Sequence, residues 1–336
     1  MSRDRLLALV GYGRWGTNIA RQLGVIAPSR WAYLVEPRHQ AQAAALATHP
    51  GITVATDLEV VLSDPRVGAV LIATPARTHA HLGMAALSAY KHVFVEKPLA
   101  TSVKSALGLA IAARARGLTL MVGHIFRYTP EVQYLREAVL AGDLGQVRRI
   151  DCARLDCPAL DSDINAFWDL APHDVSIANY VLGSDPQWAT ATRVHLDERA
   201  LHHHAFRAEL RYATGVAVHL HLNRRDPHKT RRITVIGTRR TLTYDDLDPV
   251  HPVTITEPVG SRLGVACPPR PVGVQPLAVE LRHFLHCVDT REPPHTDGWE
   301  GVRVVAVLAA AEKSWRTGKT EVPVSVPPAA LPRPRT

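Results

Sequence analysis

Three groups of residues in this 336-residue chain have types and spacing that suit chemistry. The first is Glu96-Lys97-Pro98, which closes the apolar run from His92 to Val95. Charges at the tip of a buried strand cost desolvation free energy unless something pairs with them or uses them, so an acid and an amine there mark a candidate site. In the second, Trp168 to Asp174, Asp169 and His173 stand four residues apart. With Asp169 as a helix N-cap, Pro172 falls in the first turn, and Asp169 and His173 face one cleft. Imidazole titrates near neutral pH, the property of a general base. The third group is Gly11, Tyr12, Gly13, Arg14, Trp15 and Gly16, a GxGxxG. Gly11 permits a tight turn, Gly13 lets backbone approach a pyrophosphate, and Gly16 lets a helix pack on the strand.

These residues need a frame. The GxGxxG follows the apolar run Leu6 to Val10 and opens a helix, and Glu36 lies twenty residues beyond Gly16 at the end of the next apolar run. A carboxylate there accepts hydrogen bonds from ribose hydroxyls and repels a 2′-phosphate, which favours NAD over NADP, although nearby Arg38 offers a counter-charge. Further strands are expected at Trp31 to Val35, Ile52 to Ala55, Val67 to Ala73, His92 to Val95 and Thr119 to Val122. A helix from Ser102 to Arg116 is capped by Thr101 or Ser102. This alternation predicts a doubly wound Rossmann domain over residues 1–123.

After Gly123 the texture changes. Thr129, Pro130 and Glu131 read as the start of a helix reaching Leu140. Strand-like runs then dominate from Val147 to Tyr244, joined by short turns. At Gly215 a hairpin with Tyr212 opposite Val216 puts Phe206, Ala208 and Leu210 on one face with Val218, Leu220 and Leu222, and His203, Arg207, Glu209, Arg211, His219 and His221 on the other. The polar face is either solvated or an oligomer contact; wide open sheets usually meet something, so a homodimer or homotetramer through this face is the favoured expectation. The fold class is therefore α/β, with an N-terminal Rossmann domain and a C-terminal α+β domain bearing a large, mostly antiparallel open sheet over residues 124–298, for substrate and oligomerisation. Helices are expected at Leu277 to Val288 and Trp299 to Arg316, the last packing back on the first domain, before a flexible Pro-rich tail over 323–336.

Composition narrows the classes. Apolar residues make up 46% and charged residues 21%, ordinary for a soluble globular protein. No run approaches a membrane span, and no signal sequence is visible at the N-terminus, so a cytoplasmic location is expected. The net charge of +8 invites a nucleic-acid reading. The arginines are scattered, however, and no basic helix or stacking motif accompanies them, so no nucleic-acid partner is expected. Cys152, Cys157, Cys267 and Cys287 read as buried free thiols. His202, His203 and His204 cannot all ligate one ion from a regular strand, so no metal is expected.

In order and spacing, the GxGxxG, then Ile72 to Pro75 with His79, then Glu96-Lys97-Pro98, then Gly123 and His124 with Arg127, Tyr128 and Pro130, resemble the Gfo/Idh/MocA family of oxidoreductases. The resemblance runs to about Arg316. It implies a cofactor site of Gly11 to Gly16, Glu36, Thr74, Pro75, His79, Glu96 and Lys97, with the lysine beside the nicotinamide and the substrate hydroxyl and its bond to proline often cis. Where the family often has Asn after Thr-Pro, this chain has Ala76. Inositol-oxidising members pair the lysine with an Asp and a His four residues apart, which Lys97, Asp169 and His173 match residue by residue. The implied mechanism has His173 take the proton of a ring secondary alcohol as hydride leaves for the nicotinamide. Asp169, or Asp174 in its place, orients and charges the imidazole, and Lys97 stabilises the developing alkoxide. Arg127, Tyr128, Asn165 and Trp168 either shape a sugar pocket or pack a domain interface.

The Trp168 to Asp174 and Gly11 to Gly16 stretches look like the branch of the family that makes 3-keto sugars for later transamination in polysaccharide and antibiotic pathways, including aminoglycosides of the gentamicin or kanamycin type. The resemblance thus implies an NAD-dependent dehydrogenase acting on C3 of an amino sugar or aminoglycoside. A nucleotide sugar, which the basic charge suits, and an inositol are the alternatives. A non-catalytic NAD(P)-sensing regulator is the rival class, but such proteins lose the lysine that this chain keeps at Lys97.

Overall fold

The computed structural model describes residues 5–156, 163–194, 205–257, 262–265 and 275–326. They form two compact units. The first comprises the described residues up to His124 together with Gln275–Val305. The second comprises the described residues of Ile125–Val274 and those from Ala306 onward.

In the first unit, β1 (Leu6–Val10), α1 (Arg14–Ile26), β2 (Trp31–Val35), α2 (His39–Thr48), β3 (Thr53–Ala55), α3 (Glu59–Leu62), β4 (Val67–Ile72), α4 (Ala76–Ser88), β5 (His92–Glu96), α5 (Val103–Ala115) and β6 (Leu120–Gly123) alternate. The six strands are all parallel, in the order β3-β2-β1-β4-β5-β6. Every residue of β4 and β5 is buried, as expected for central parallel strands covered on both faces. Ser102 caps α5 by accepting from the Ser105 N–H at 3.1 Å. The order reverses between β1 and β4, and crevices outside the carboxyl ends of strands at such a point bind ligands.

The second unit contains α6 (Pro130–Leu140), β7 (Val147–Leu155), α7 (Ala166–Leu182), β8 (Pro186–Val194), β9 (Ala205–Tyr212), β10 (Ala217–Asn223), β11 (Thr230–Gly237), β12 (Thr241–Asp245), β13 (Val253–Thr256) and β14 (Arg262–Val265). Helices α8 (Pro276–Thr290) and α9 (Gly298–Thr317) and the short β15 (Val322–Pro323) follow. The second sheet has nine strands in the order β14-β13-β12-β11-β7-β10-β9-β8-β15, antiparallel except where β10 meets β7. The hairpin has the expected register: Val218 lies opposite Leu210, Leu220 opposite Ala208 and Leu222 opposite Phe206, all buried. Helix α7 packs on this face, with Phe167 edge-on to Phe206 at 5.6 Å between centroids. On the other face Arg207 is exposed, while Glu209, His219 and His221 are half-buried.

Three expectations change. The boundary drawn at residue 298 moves to 275, because α8 packs on α1 and β5 of the first unit and places Phe284 edge-on to Phe94. Helix α9 is divided: its residues to Val305 belong to the first unit and the rest to the second, where Trp315 packs against Phe167 and Phe206. Residue 323, expected to open a flexible tail, lies instead in β15, which pairs with β8. Residues 327–336, Cys157, Cys267 and His202 to His204 lie outside the described residues. Cys152 and Cys287 are buried free thiols. Among the described residues, no helix is long and apolar enough to cross a membrane, and no group of ligating side chains suits a metal ion.

Candidate active site

In the first unit the glycine-rich turn joins β1 to α1. Gly11 has φ +94°, and a Cβ there would stand 2.7 Å from the Ala73 carbonyl oxygen, so only glycine lets β1 and β4 end side by side. Around Gly13, the N-cap of α1, a Cβ would meet no atom within 4 Å, and no side chain caps the helix. The first N–H groups of α1 therefore present a cradle for a pyrophosphate.

Glu36 follows β2 and is 2% exposed. It accepts from the Tyr12 N–H at 2.8 Å and from Arg38, Nε to Oε1 at 2.8 Å and Nη2 to Oε2 at 2.9 Å. Burial pushes its carboxyl up, but the hydrogen bonds from the Arg38 side chain and backbone and from Tyr12 outweigh burial and hold it at about 2. Glu36 is thus an ionised carboxylate at the end of β2, where a ribose-binding acid stands in this fold, with both oxygens held by Arg38 and Tyr12. The glycine-rich turn and this acid together fit a dinucleotide.

At the end of β5, Glu96 is 7% exposed, Lys97 is half-buried, and the Lys97-Pro98 bond is cis. The Trp15 indole Nε1–H donates to Glu96 Oε1, which links the glycine-rich turn to the lysine turn. Arg14 is exposed on the first turn of α1. A Cβ on Gly123 of β6 would stand 2.9 Å from Glu96 Oε1, so glycine there makes room for the carboxyl. Burial pushes Glu96 up to about 7, against the lowering effects of the Lys97 charge and the Trp15 and Lys97 hydrogen bonds. Thr74 is half-buried with its hydroxyl 2.7 Å from that of Thr78, and exposed Pro75 starts α4.

His79 corrects the sequence reading. It is 1% exposed, with Nδ1 2.8 Å from the Pro98 carbonyl and Nε2 2.9 Å from that of Thr74. A ring buried this way braces the two turns and has no surface to offer a dinucleotide.

In the second unit α7 carries the acid and the imidazole. Its N-cap is Asn165, whose Oδ1 accepts from the Trp168 N–H at 3.0 Å. This corrects the expectation that Asp169 caps the helix: Asp169 lies within the first turns and Pro172 inside the helix. From Ala166 to Ala178 every residue is buried except Asp169, Leu170 and His173, so acid and imidazole stand one turn apart on the accessible stripe. Phe126, in the 3-10 turn Ile125–Tyr128, meets the His173 ring edge-on at 5.1 Å.

The two aspartates separate cleanly. Asp174 is 1% exposed and ion-paired with buried Arg154, Nη2 to Oδ1 at 2.7 Å, which commits it to the core. That removes it as the alternative partner of His173. Asp169 instead meets Arg224, Nη2 to Oδ2 at 2.5 Å, and Arg224 Nη1 also reaches the Ile164 carbonyl at 3.1 Å. Arg224 was missed from the sequence, because β10 alternates apolar residues with His219 and His221, and a charge after such a strand is not the signal that flagged Lys97 after the buried run of β5.

The four expected sugar contacts are bound largely to the protein itself. The Trp168 indole is 5% exposed and donates to Glu312 Oε2 at 3.1 Å. Tyr128 is 4% exposed, and the Arg127 guanidinium stacks on Tyr180 at 3.8 Å. Asn165 Oδ1 serves the cap. The contacts described for them are packing and capping contacts.

Residues 6–124 match the model of an oxidoreductase family with an NAD-binding Rossmann fold, and residues 132–243 match a GFO/IDH/MocA C-terminal domain. The chain belongs to the Gfo/Idh/MocA family of oxidoreductases. A Gfo/Idh/MocA relative, scyllo-inositol 2-dehydrogenase (NAD(+)) of Bacillus subtilis, is 26% identical over 322 residues, covering 93% of this chain and 94% of the relative. UDP-N-acetylglucosamine 3-dehydrogenase of Acidithiobacillus ferrooxidans is 28% identical over 258 residues, 71% of this chain and 76% of the relative. The solved structure of GenD2 from gentamicin A biosynthesis, in complex with NAD, superposes with a TM-score of 0.83 at 26% identity, covering 96% of this chain and 97% of that one. This Gfo/Idh/MocA member is thus an NAD-type oxidoreductase among sugar and cyclitol dehydrogenases.

Proposed function

We propose that the chain oxidises a ring secondary hydroxyl, C3 of an amino sugar or aminoglycoside intermediate, to a ketone that a transaminase can use. The observation that carries this reading is the Asp169 and His173 pair, one turn apart on the only accessible stripe of the first half of α7. NAD, when bound, supplies the hydride acceptor. The rest is done by side chains. His173 takes the hydroxyl proton, Asp169 stabilises the resulting imidazolium, and Lys97 donates to the oxygen as alkoxide character develops. Arg224 fixes Asp169 through Oδ2, and Phe126 limits the swing of the imidazole.

A nucleotide sugar is the second reading, favoured by the net charge of +8, which attracts a diphosphate and repels a polyamine. We further propose that the second unit serves substrate binding and assembly, with a homodimer or homotetramer formed through the polar sheet face. Incubating the protein with NAD and separate panels of aminoglycosides, UDP-sugars and inositols tests the reading. Loss of two hydrogens by an aminoglycoside, abolished in Lys97→Ala and His173→Ala, supports it. Turnover confined to UDP-sugars or inositols overturns the aminoglycoside assignment.

A further inference from the structure

Helix α8 lies along one face of β5. Phe284 meets Phe94 with ring centroids 5.7 Å apart, and nearer the start of the strand Thr119 donates both to the Cys287 carbonyl and to His92 Nδ1. Side chains recur on one face every two residues along a strand and every three to four along a helix. Two residues on from Phe94 is Glu96, and four back from Phe284 is Glu280, so the same packing brings the two carboxyls together. Glu280 is 0% exposed, and neither of its oxygens has a hydrogen-bond partner among the described residues. Burial, and after it the Glu96 charge, hold its carboxyl well above the ordinary range. Two buried neighbouring carboxyls do not both ionise, and a protonated acid has an O–H that needs an acceptor.

We propose that Glu280 is kept as a neutral acid whose O–H donates to the Glu96 carboxylate, making it a positioning residue for the Glu96-Lys97-Pro98 turn. Glu96 is then held from three directions: by the Trp15 indole, by the Lys97 N–H at 3.2 Å and by Glu280. Gly123 leaves the space in which this happens. The charge acting on Glu96 is that of Lys97 on the turn itself, and the titratable side chains at the neighbouring end of β6 are His124 and Glu300, 2.6 Å apart. The carboxyl pair stands on the first unit alone; its bearing on catalysis rests on the role proposed for Lys97.

Carbon-13 NMR of the glutamate carboxyls in the full-length, cofactor-free protein tests this, with Glu280→Gln and Glu280→Met beside the wild type. In the wild type one carboxyl stays protonated after another, lost in Glu96→Gln, has titrated at about 7. Glutamine keeps a donor and leaves that midpoint in place. Methionine, of similar volume and without a donor, raises it by about one pH unit. On the substrate found above, Glu280→Met lowers kcat about tenfold with KM unchanged, and Glu280→Gln restores it. Identical titration of the two variants, or no carboxyl left protonated once Glu96 has titrated, overturns the pair. Titrations that differ as expected with kcat equal in both variants overturn the positioning role alone, and neither result depends on which sugar is the substrate.

Discussion

Asp169 and His173 are ordinary residues made distinctive by what surrounds them. Apolar packing takes nearly every other position on the first half of α7, and Arg224 reaches from the end of β10 to take Asp169 Oδ2 at 2.5 Å. His173→Ala is expected to lower kcat by about 10²- to 10⁴-fold, the usual worth of a general base, and to leave NAD affinity, read by titration calorimetry, within about twofold. Arg224→Met acts differently. It removes the fixed partner of a carboxylate that is 30% exposed, so kcat falls while thermal stability drops by only about 1–2 kcal/mol after allowance for solvent screening. Should Arg224→Met match wild-type kcat, Asp169 does not need its partner. Gly123→Ala drives a methyl against Glu96 and is expected to weaken the fold by about 1–3 kcal/mol, measured by denaturant unfolding.

At the level of elements, strands were the legible part. The runs Leu6 to Val10 and Trp31 to Val35 are strands with those same ends, because a buried parallel strand is a continuous apolar run bounded by turn residues. The start of α7 was misread because Asn165 and Asp169 are both good caps, and the choice falls to one hydrogen bond to the Trp168 N–H. The register of the β9 and β10 hairpin followed from alternation alone, since a one-residue slip would send its apolar residues to the polar face. Arg224 and Glu280 were invisible for another reason. Their meaning lies in Asp169 and Glu96, far away in sequence, and no local pattern encodes such partners. The role of His79 was hidden likewise, because the carbonyls it braces belong to separate turns. Asn165→Ala should cost about 1 kcal/mol of stability and leave cofactor affinity unchanged; a loss of substrate turnover without loss of stability would return Asn165 to the sugar pocket.

For the whole molecule, two buried groups near β5 set opposite pH trends. Glu96 titrates at about 7, raised by burial above an ordinary 4.5, so the folded state binds more protons than the unfolded one between these values. Its contribution, about 3 kcal/mol, is present below 4.5 and lost as the pH rises through 7. His92, lowered to about 4 by burial first and then by the charges of Arg291 and Arg5, contributes stability that is present above 6.5 and lost as the pH falls toward 4. Thermal melts of Glu96→Gln against wild type from pH 5 to 8 should show the variant losing less stability as the pH rises; parallel curves would contradict a buried acid at Glu96. Assembly is tested on the other unit. Arg207→Glu with Arg232→Glu on the polar sheet face should shift the mass found by light scattering toward the monomer. The most direct test of the central claim is to give the protein and NAD an aminoglycoside carrying deuterium on C3 and to weigh both products. The account predicts a 3-keto sugar and a reduced nicotinamide one mass unit heavier, whereas deuterium retained on an unchanged sugar, or oxidation at another carbon, would contradict it.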